Sequence, residues 1–310
     1  MKVIDLHCDV LMKMLLNPKI SFLDSDELAV NYQKLHSTEA KLQFFAIYIP
    51  EDIHPQMRFQ AALAMVHIFH EKILSFPHMK LIKSREDYLL LREGEIGAVL
   101  CLEGCDCLNG DLIKLYTLLQ LGVSSVGLTW NYSNVFADGA LEVRNAGLSE
   151  KGKQLVSYLN EKSIMIDVSH LSEASFWDVI ELGGEIFASH SNCRAICDHP
   201  RNLFDDQIKS LLKRNGLIGL TFVPSFVTKT SEATIKDLIS HVDHICSLGG
   251  VRKIGFGSDF DGTPGYIKEI LSYKDYPLLI EELLKHYTYE QVEGFLYKNY
   301  ENVIILKNGS

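Results

Sequence analysis

Apolar runs rich in β-branched residues alternate with amphipathic stretches along the whole chain. The runs are short and bounded by polar residues or glycine, which is typical of buried strands in a parallel sheet. They predict eight strands, at residues 3–9, 42–49, 96–104, 124–130, 164–170, 186–192, 217–223 and 254–261. The stretches between them have apolar residues at helical spacing, which predicts helices at 55–76, 111–121, 149–161, 172–182, 205–215 and 234–248.

This alternation of strands and helices predicts an α/β fold, a (β/α)8 TIM-type barrel made by a single domain of residues 1–310. Ser149 and Asp205 are predicted to be helix N-caps. A final helix near residues 289–302 is predicted to pack outside the barrel. An open doubly wound sheet is the alternative fold, but no glycine-rich phosphate loop follows the first strand, which argues against a dinucleotide-binding version of it.

Composition excludes several classes of partner. The formal charge of −10 and the lack of a basic cluster argue against nucleic-acid binding. No leader and no run of about 18 apolar residues is found, so we expect a cytoplasmic protein without a membrane segment. The seven cysteines lack the paired spacing of a structural zinc site, so reduced, buried thiols are the expected state and a cysteine–zinc cluster is the alternative. Two tryptophans and moderate surface apolarity are compatible with a homodimer.

Candidate ligands stand where the predicted strands end, and the active site of a barrel forms at those carboxyl ends. The first strand ends in His7-Cys8-Asp9. The two-residue period of a strand puts His7 and Asp9 on one face, where they can hold one divalent ion, and puts Cys8 on the other. Later strands end in the further candidates Glu103 (third strand), His170 (fifth), His190 (sixth) and Asp259 (eighth).

Three histidines and two or three carboxylates at one barrel mouth suit two divalent ions, and Zn²⁺ best. Glu103 is the natural bridge, because it lies between the ligands of the first and fifth strands. A hydroxide held between two such ions is a nucleophile at neutral pH, so the pattern predicts a hydrolase. A hydrogen-bonded structural role is the simpler interpretation of any single histidine, but five candidates at separate strand ends favour the metal site.

Histidine pairs also occur at i,i+3 spacing on two predicted helices, His67 with His70 and His241 with His244. Barrel helices face away from the mouth, so these histidines are predicted to be surface or packing residues.

Six motifs fall at these strand ends and in the loop after the sixth strand: Asp5-Leu6-His7-Cys8-Asp9, Glu103-Gly104, Ile166-Asp167-Val168-Ser169-His170, Ser189-His190-Ser191-Asn192, Asp198-His199-Pro200-Arg201-Asn202 and Gly257-Ser258-Asp259-Phe260-Asp261-Gly262. Together they resemble the membrane (renal) dipeptidase family of zinc metallopeptidases, within the amidohydrolase-like barrels. The resemblance covers essentially the whole chain. Asp9 in place of the His-x-His histidine, and the lack of a lysine ending the fourth strand, point to this branch of the superfamily.

The resemblance implies that His7 and Asp9 bind one zinc, that His170 and His190 bind the other, and that Glu103 bridges them. It implies that Arg201 holds the substrate's C-terminal carboxylate, for which a planar guanidinium is suited. It also implies that Asp259 contacts the substrate's amino end and passes a proton to the leaving amine. The expected reaction is hydrolysis of dipeptides, including L-Xaa-D-Xaa.

The chain departs from animal members of the family after the fourth strand. Where they carry a histidine that stabilises the oxyanion, this chain has Trp130-Asn131, and these two residues are predicted to contact the substrate instead. The departure leaves two alternatives: another amidohydrolase that acts on N-acyl amino acids, lactones or phosphoesters, or a metal-loaded barrel that binds an amino-acid-like ligand without turnover.

Overall fold

Eight parallel strands form a barrel at the centre of the protein, which a computed structural model describes for residues 1–230 and 232–305. The sheet has these eight strands and one more, β3, in the described residues: β1 (Val3–Asp5), β2 (Ala40–Tyr48), β3 (Met79–Leu81), β4 (Ile96–Glu103), β5 (Val123–Gly127), β6 (Met165–Asp167), β7 (Ile186–Phe187), β8 (Ile218–Leu220) and β9 (Ile254–Phe256). Their order around the barrel is β7-β6-β5-β4-β2-β1-β9-β8, and a bridge between Ala188 and Ile218 closes the ring. The short β3 pairs with the first half of β4, off the ring. The predicted barrel is confirmed.

Helices follow the strands and cover the outside of the ring. They are α1 (Val10–Leu16), α2 (Tyr32–Ser37), α3 (Arg58–Ile68), α4 (Arg85–Leu89), α5 (Leu112–Gln120), α6 (Glu150–Glu161), α7 (Glu173–Leu182), α8 (Asp205–Lys213), α9 (Pro224–Val227), α10 (Ile235–Ser247), α11 (Tyr276–Leu283) and α12 (Tyr289–Glu293). Short 3-10 segments lie at Pro55–Met57, Asp106–Leu108 and Tyr273–Asp275, and π-helical segments at Phe69–Ile73, Gly294–Lys298 and Glu301–Ile305.

The two predicted N-caps have different outcomes. Ser149 caps α6, since its side chain accepts a hydrogen bond from the Gly152 N–H. The prediction for Asp205 was wrong, because this residue is the first of α8 and Phe204 holds the cap position. The Gln207 side chain accepts from the Phe204 N–H, so the helix end is satisfied by a residue within the first turn.

The C-terminal segment lies across the amino-terminal opening of the barrel. Tyr300, Val303 and Ile305 belong to the same buried cluster as the inward-facing strand residues Leu42 and Phe44. The Tyr300 ring packs edge-on against Phe44, with 6.0 Å between the ring centroids. The segment therefore lies outside the ring of strands, and its side chains complete the interior packing and close one end.

In residues 1–230 and 232–305, no helix combines the length and the apolarity that crossing a bilayer requires.

Candidate active site

The predicted ligands converge at the carboxyl ends of the strands, around the side chain of Glu103. One oxygen of this carboxylate, Oε2, lies 3.4 Å from His7 Nε2. The other, Oε1, lies 2.8 Å from His170 Nε2 and 3.6 Å from His190 Nε2. The carboxylate thus faces His7 with one oxygen and the other two histidines with the second, which is the arrangement a bridging ligand needs.

A second group of carboxylates surrounds His7. The Nε2 atom of His7 lies 3.4 Å from Asp9 Oδ2 and 3.9 Å from Asp259 Oδ1. Ligand atoms of two triads, His7 with Asp9 and Asp259 and His7 with Glu103 and His190, lie within 4.8 Å of one another. The predicted common face of His7 and Asp9 is therefore present, while Cys8 is buried on the opposite side.

These residues fit divalent metal ions. Buried polar atoms normally have hydrogen-bond partners, yet His7 Nε2 and Asp9 Oδ1 have none. The Nε2 atoms of His170 and His190 lie 2.8 Å apart, so two imidazole nitrogens point at one place. A donor set of three imidazoles and three carboxylates, with no thiolate, matches the ligands of hydrolytic zinc sites.

The charge states suit this interpretation. Burial and then the positive charge of Arg201 lower the pKa of His170 to about 3. Burial, with the charges of His7 and Arg201, holds the pKa of His190 well below its usual value. Both rings are therefore neutral near pH 7, as metal ligands must be.

The negative charge of the carboxylates is concentrated on the side of the site where His7 lies. Burial disfavours ionisation of Glu103, but the neighbouring His7 and His170 outweigh it and lower the carboxylate's pKa. Burial also disfavours the charged form of His7, yet Glu103 and Asp9 raise its pKa well above the usual value. Burial, together with repulsion from Asp9 and Glu103, raises the pKa of Asp259 well above the usual value, against the attraction of His7.

Two of the histidines have their outer ring nitrogens fixed by hydrogen bonds. His170 Nδ1 lies 2.9 Å from Asn131 Oδ1, and His190 Nδ1 lies 2.6 Å from Ser189 Oγ. When Nδ1 carries the proton, Nε2 presents its lone pair to the site. Asn131, predicted to contact substrate, thus lies against a predicted ligand and orients it.

Sequence reasoning missed the carboxylate behind His190. Asp167 Oδ1 accepts from the backbone N–H groups of Ser169 and Ser189, both at 2.9 Å, and its other oxygen accepts from the Ser189 hydroxyl. Asp5 repeats this arrangement between β1 and β9, where it accepts from the N–H groups of His7 and Ser258 and from the Ser258 hydroxyl. The signal in the sequence that could have revealed both residues is an aspartate two residues before the turn that follows each of the two strands.

Asp259 is held in a strained turn. Its φ is 63°, in the left-handed region that non-glycine residues seldom adopt. Asp261 stabilises the turn, because its carboxylate accepts from the N–H groups of Ala29 and Val30 and from the Lys13 ammonium. The turn ends at Gly262, where a Cβ would lie 2.1 Å from Asp9 Oδ2.

Arg201 is a buried cation in the barrel mouth. The residue is 4% exposed and donates from Nη2 to the carbonyl oxygen of His190, at 3.2 Å, while its Nε has no partner. In the part of the chain that the structure describes, no carboxylate forms an ion pair with its guanidinium. Burial lowers the pKa of Arg201 to about 10, with Asp259 and Glu103 opposing, so the group is charged at neutral pH. An unpaired buried charge is costly, which favours an anionic ligand here.

Two cavities meet at His170. The first, of about 170 Å³, adjoins Asp9, Glu103 and Asp259 and is otherwise lined by Tyr48, Trp130 and Phe226. The second, of about 250 Å³, contains Arg201 and is lined by polar groups such as Arg194 and Gln207. Trp130, predicted to contact substrate, packs between Tyr48 and His170, with ring centroids 5.1 and 6.1 Å away.

Comparison with known proteins agrees with this site. The sequence model described as membrane dipeptidase, peptidase family M19, matches residues 1–306. Dipeptidase aclJ of Aspergillus oryzae is 28% identical over 283 residues, which are 86% of this chain and 67% of that protein. Dipeptidase 3 of Mus musculus is 27% identical over 277 residues, 87% of this chain and 56% of that protein. The chain thus spans between about half and two thirds of the length of these relatives.

A solved structure also superposes on the whole fold. It is a metallo peptidase from Rhodobacter sphaeroides, crystallised with a phosphinate mimic of the dipeptide L-Ala-D-Ala. The identity is 25%, the TM-score is 0.91, and the match covers 98% of each chain.

Proposed function

The chain belongs to the membrane dipeptidase family of metallopeptidases, and on that premise we propose that it is a dinuclear zinc dipeptidase whose substrates include L-Xaa-D-Xaa dipeptides. The observation that carries this proposal is the pairing of a carboxylate–imidazole cluster with a buried, unpaired guanidinium across adjoining cavities. A small molecule with an amino group at one end and a carboxylate at the other matches both. The R. sphaeroides relative, bound to an L-Ala-D-Ala mimic, supports the same class of ligand.

We propose that His7 and Asp9 hold one zinc ion, that His170 and His190 hold the other, and that Glu103 bridges them. The two oxygens of Glu103 face the two sides of the cluster, which supports the bridging role. Bound there, the ions would polarise the scissile carbonyl and make a water molecule acidic enough to attack it at neutral pH.

The remaining steps belong to side chains of this protein. Arg201 binds the carboxylate of the second residue, and its burial strengthens that charge-assisted contact. Asp259 contacts the amino end of the first residue. Its carboxylate lies beside the cluster, with Oδ1 3.9 Å from His7 Nε2, where it can take a proton from the attacking water and give it to the leaving amine. Recognition of both ends restricts substrates to dipeptides, because a longer peptide has no carboxylate at that distance.

In this arrangement, the side chain of the dipeptide's first residue lies in an apolar environment. Tyr48, Trp130 and Phe226 line the cavity next to Asp259. Trp130 therefore contributes a wall of the substrate pocket, at the position where animal relatives have a histidine.

We also propose a cytoplasmic location. All seven cysteines are unpaired, and six of them are buried, which supports a reducing compartment.

The test is hydrolysis by the zinc-loaded protein of four compounds: L-Leu-D-Ala, L-Leu-L-Ala, N-acetyl-Leu and the amide of L-Leu-D-Ala. We expect cleavage of the free dipeptides and at most weak cleavage of the amide, since the amide removes the anion that Arg201 binds. Cleavage of N-acetyl-Leu alone would replace this proposal with an N-acyl amino acid hydrolase. Tight binding of the dipeptides without turnover would indicate the non-catalytic barrel.

A further inference from the structure

One histidine outside the proposed metal site is fully buried, and both of its ring nitrogens form hydrogen bonds. His241 lies on α10 and is 0% exposed. Its Nδ1 accepts from the Cys193 N–H at 3.0 Å, and its Nε2 lies 2.9 Å from the carbonyl oxygen of Val227. A backbone N–H can only donate and a carbonyl oxygen can only accept, so the ring is neutral and carries its proton on Nε2.

The two backbone groups that His241 binds belong to different segments. Cys193 starts the loop that contains Arg201 and returns at Leu203, where the loop closes through a bridge between Cys193 and Leu203. Val227 is the last residue of α9. The imidazole therefore joins the start of the Arg201 loop to the end of the following short helix, with α10 as the support.

These two segments also enclose the guanidinium of Arg201. Phe226, on α9, has its ring centre 5.6 Å from the Arg201 guanidinium carbon and 4.4 Å from the His199 ring. The Asn202 amide donates to the carbonyl oxygens of Cys197 and Phe226, both at 2.8 Å. The Arg201 loop and α9 thus form one unit around the guanidinium. His241 forms hydrogen bonds with both parts of this unit.

Arg201 depends on this unit for its position. Among the residues that the structure describes, its guanidinium makes one hydrogen bond, from Nη2 to the carbonyl oxygen of His190. With one hydrogen bond and no carboxylate partner among the described residues, the guanidinium is positioned mainly by the backbone of its loop and by the Phe226 ring on which it packs. Any displacement of the loop relative to α9 therefore changes where a bound carboxylate would sit.

We propose that His241 is a positioning residue for substrate recognition: it fixes the Arg201 loop against α9 so that the guanidinium meets the substrate's carboxylate. The proposal rests on the carboxylate-binding role given to Arg201 in the proposed function. His241 touches neither substrate nor the metal ligands in this role, and it acts through the backbone groups of Cys193 and Val227.

The experiment compares three variants of the zinc-loaded full chain. His241→Leu removes both hydrogen bonds. His241→Asn keeps an acceptor near the position of Nδ1. His244→Ala is the matched control, one turn along the same helix, where the side chain pairs with Asp205 at 2.7 Å instead. For L-Leu-D-Ala we expect KM to rise about tenfold in His241→Leu, an effect of the order expected when buried hydrogen bonds are lost, with kcat within about twofold. His241→Asn should recover part of KM, and His244→Ala should resemble wild type.

Two further readouts separate positioning from general destabilisation. The preference for the free dipeptide over its amide should shrink in His241→Leu, while the bound zinc per chain stays unchanged. Hydrogen exchange of backbone amides in residues 193–203 should accelerate in His241→Leu and not in His244→Ala.

An unchanged KM and unchanged exchange in a folded His241→Leu protein would overturn the proposal. So would a loss of kcat and zinc that parallels a general loss of folding. If wild type cleaves no dipeptide, the proposed function fails, and binding of a phosphinate dipeptide mimic against its amide then tests the Arg201 loop without turnover.

Discussion

At the scale of single residues, the site depends on one carboxylate that faces both of its halves. Glu103 lies 3.4 Å from His7 on one side and 2.8 Å from His170 on the other. A glutamine has the same size, but it offers a neutral oxygen to one side and a hydrogen-bond donor to the other. We therefore predict that Glu103→Gln lowers turnover to background and lowers bound zinc below two ions per chain.

The measurement is dipeptide hydrolysis together with elemental analysis of the purified variant. Glu161→Gln, at an exposed position on α6, is the control and should keep both properties. Near-wild-type turnover by Glu103→Gln would remove Glu103 from the bridging role.

The second prediction concerns the hydroxyl behind His190. Ser189 accepts from His190 Nδ1 and donates to Asp167, so it fixes the orientation of the ring. Loss of such a supporting bond typically lowers metal affinity by roughly 10–100-fold. We predict this loss for Ser189→Ala, measured by competition with a chelator. Ser191→Ala is the control, because the buried Ser191 hydroxyl contacts Ser169 instead. Equal zinc affinities of the two variants would argue against the role of Ser189 in orienting His190.

At the scale of elements, the turn after β9 approaches Asp9, the residue just before α1, so closely that only glycine fits at its end. A Cβ on Gly262 would lie 2.1 Å from Asp9 Oδ2 and 2.6 Å from Asp259 Oδ1. We predict that Gly262→Ala folds but loses zinc affinity and turnover, because the two carboxylates must move apart. Circular dichroism and zinc titration measure these effects. Gly265→Ala, where a Cβ meets nothing within 4 Å, should behave like wild type.

Elements also explain how far the sequence could predict the structure. Apolar runs identified the eight barrel strands, because burial on both faces requires such runs. The predicted strands extend too far toward the C-terminus: β6, for example, ends at Asp167 and not at His170. His170 has a φ of 68°, and its carbonyl oxygen accepts from Thr129 and from the Ala140 N–H. Contacts between distant segments set this turn, and no local pattern encodes them.

The same reasoning separates the candidate ligands from the residues that orient them. Strand ends of a barrel meet at one mouth, so His7, Glu103 and His190 could be grouped from the sequence alone. Asp167 orients His190 through Ser189, which lies just after the neighbouring strand β7, 22 positions away in the sequence. Recognising that role requires the pairing of β6 with β7.

At the scale of the whole molecule, the metal-free protein holds protons where ions are proposed to bind. Burial disfavours the charged form of His7, a proposed ligand, but Glu103 and Asp9 raise its pKa, so this imidazole retains its proton to higher pH than usual. Zinc must displace that proton, and its affinity should therefore fall as pH is lowered. We predict proton release on zinc binding, and a zinc-induced rise in Tm that shrinks toward acid pH.

Calorimetry in buffers of different ionisation enthalpy measures the released protons, and thermal unfolding at several pH values measures the stabilisation. His244→Ala leaves the cluster intact and should release the same number of protons. Zinc binding without proton release would contradict the assigned charge states.

The pairing of β1 with both β2 and β9 has a consequence for how the protein is made. The proposed ligands His7 and Asp9 can meet Asp259 only after the ribosome has synthesised β2 to β9, which lie between them in the sequence. A growing chain can form the early strands, but it cannot yet complete the ring or enclose the ligand cluster. Completion of the proposed metal site is therefore a late event in biogenesis, and a truncated translation product would expose the proposed ligands without a finished site.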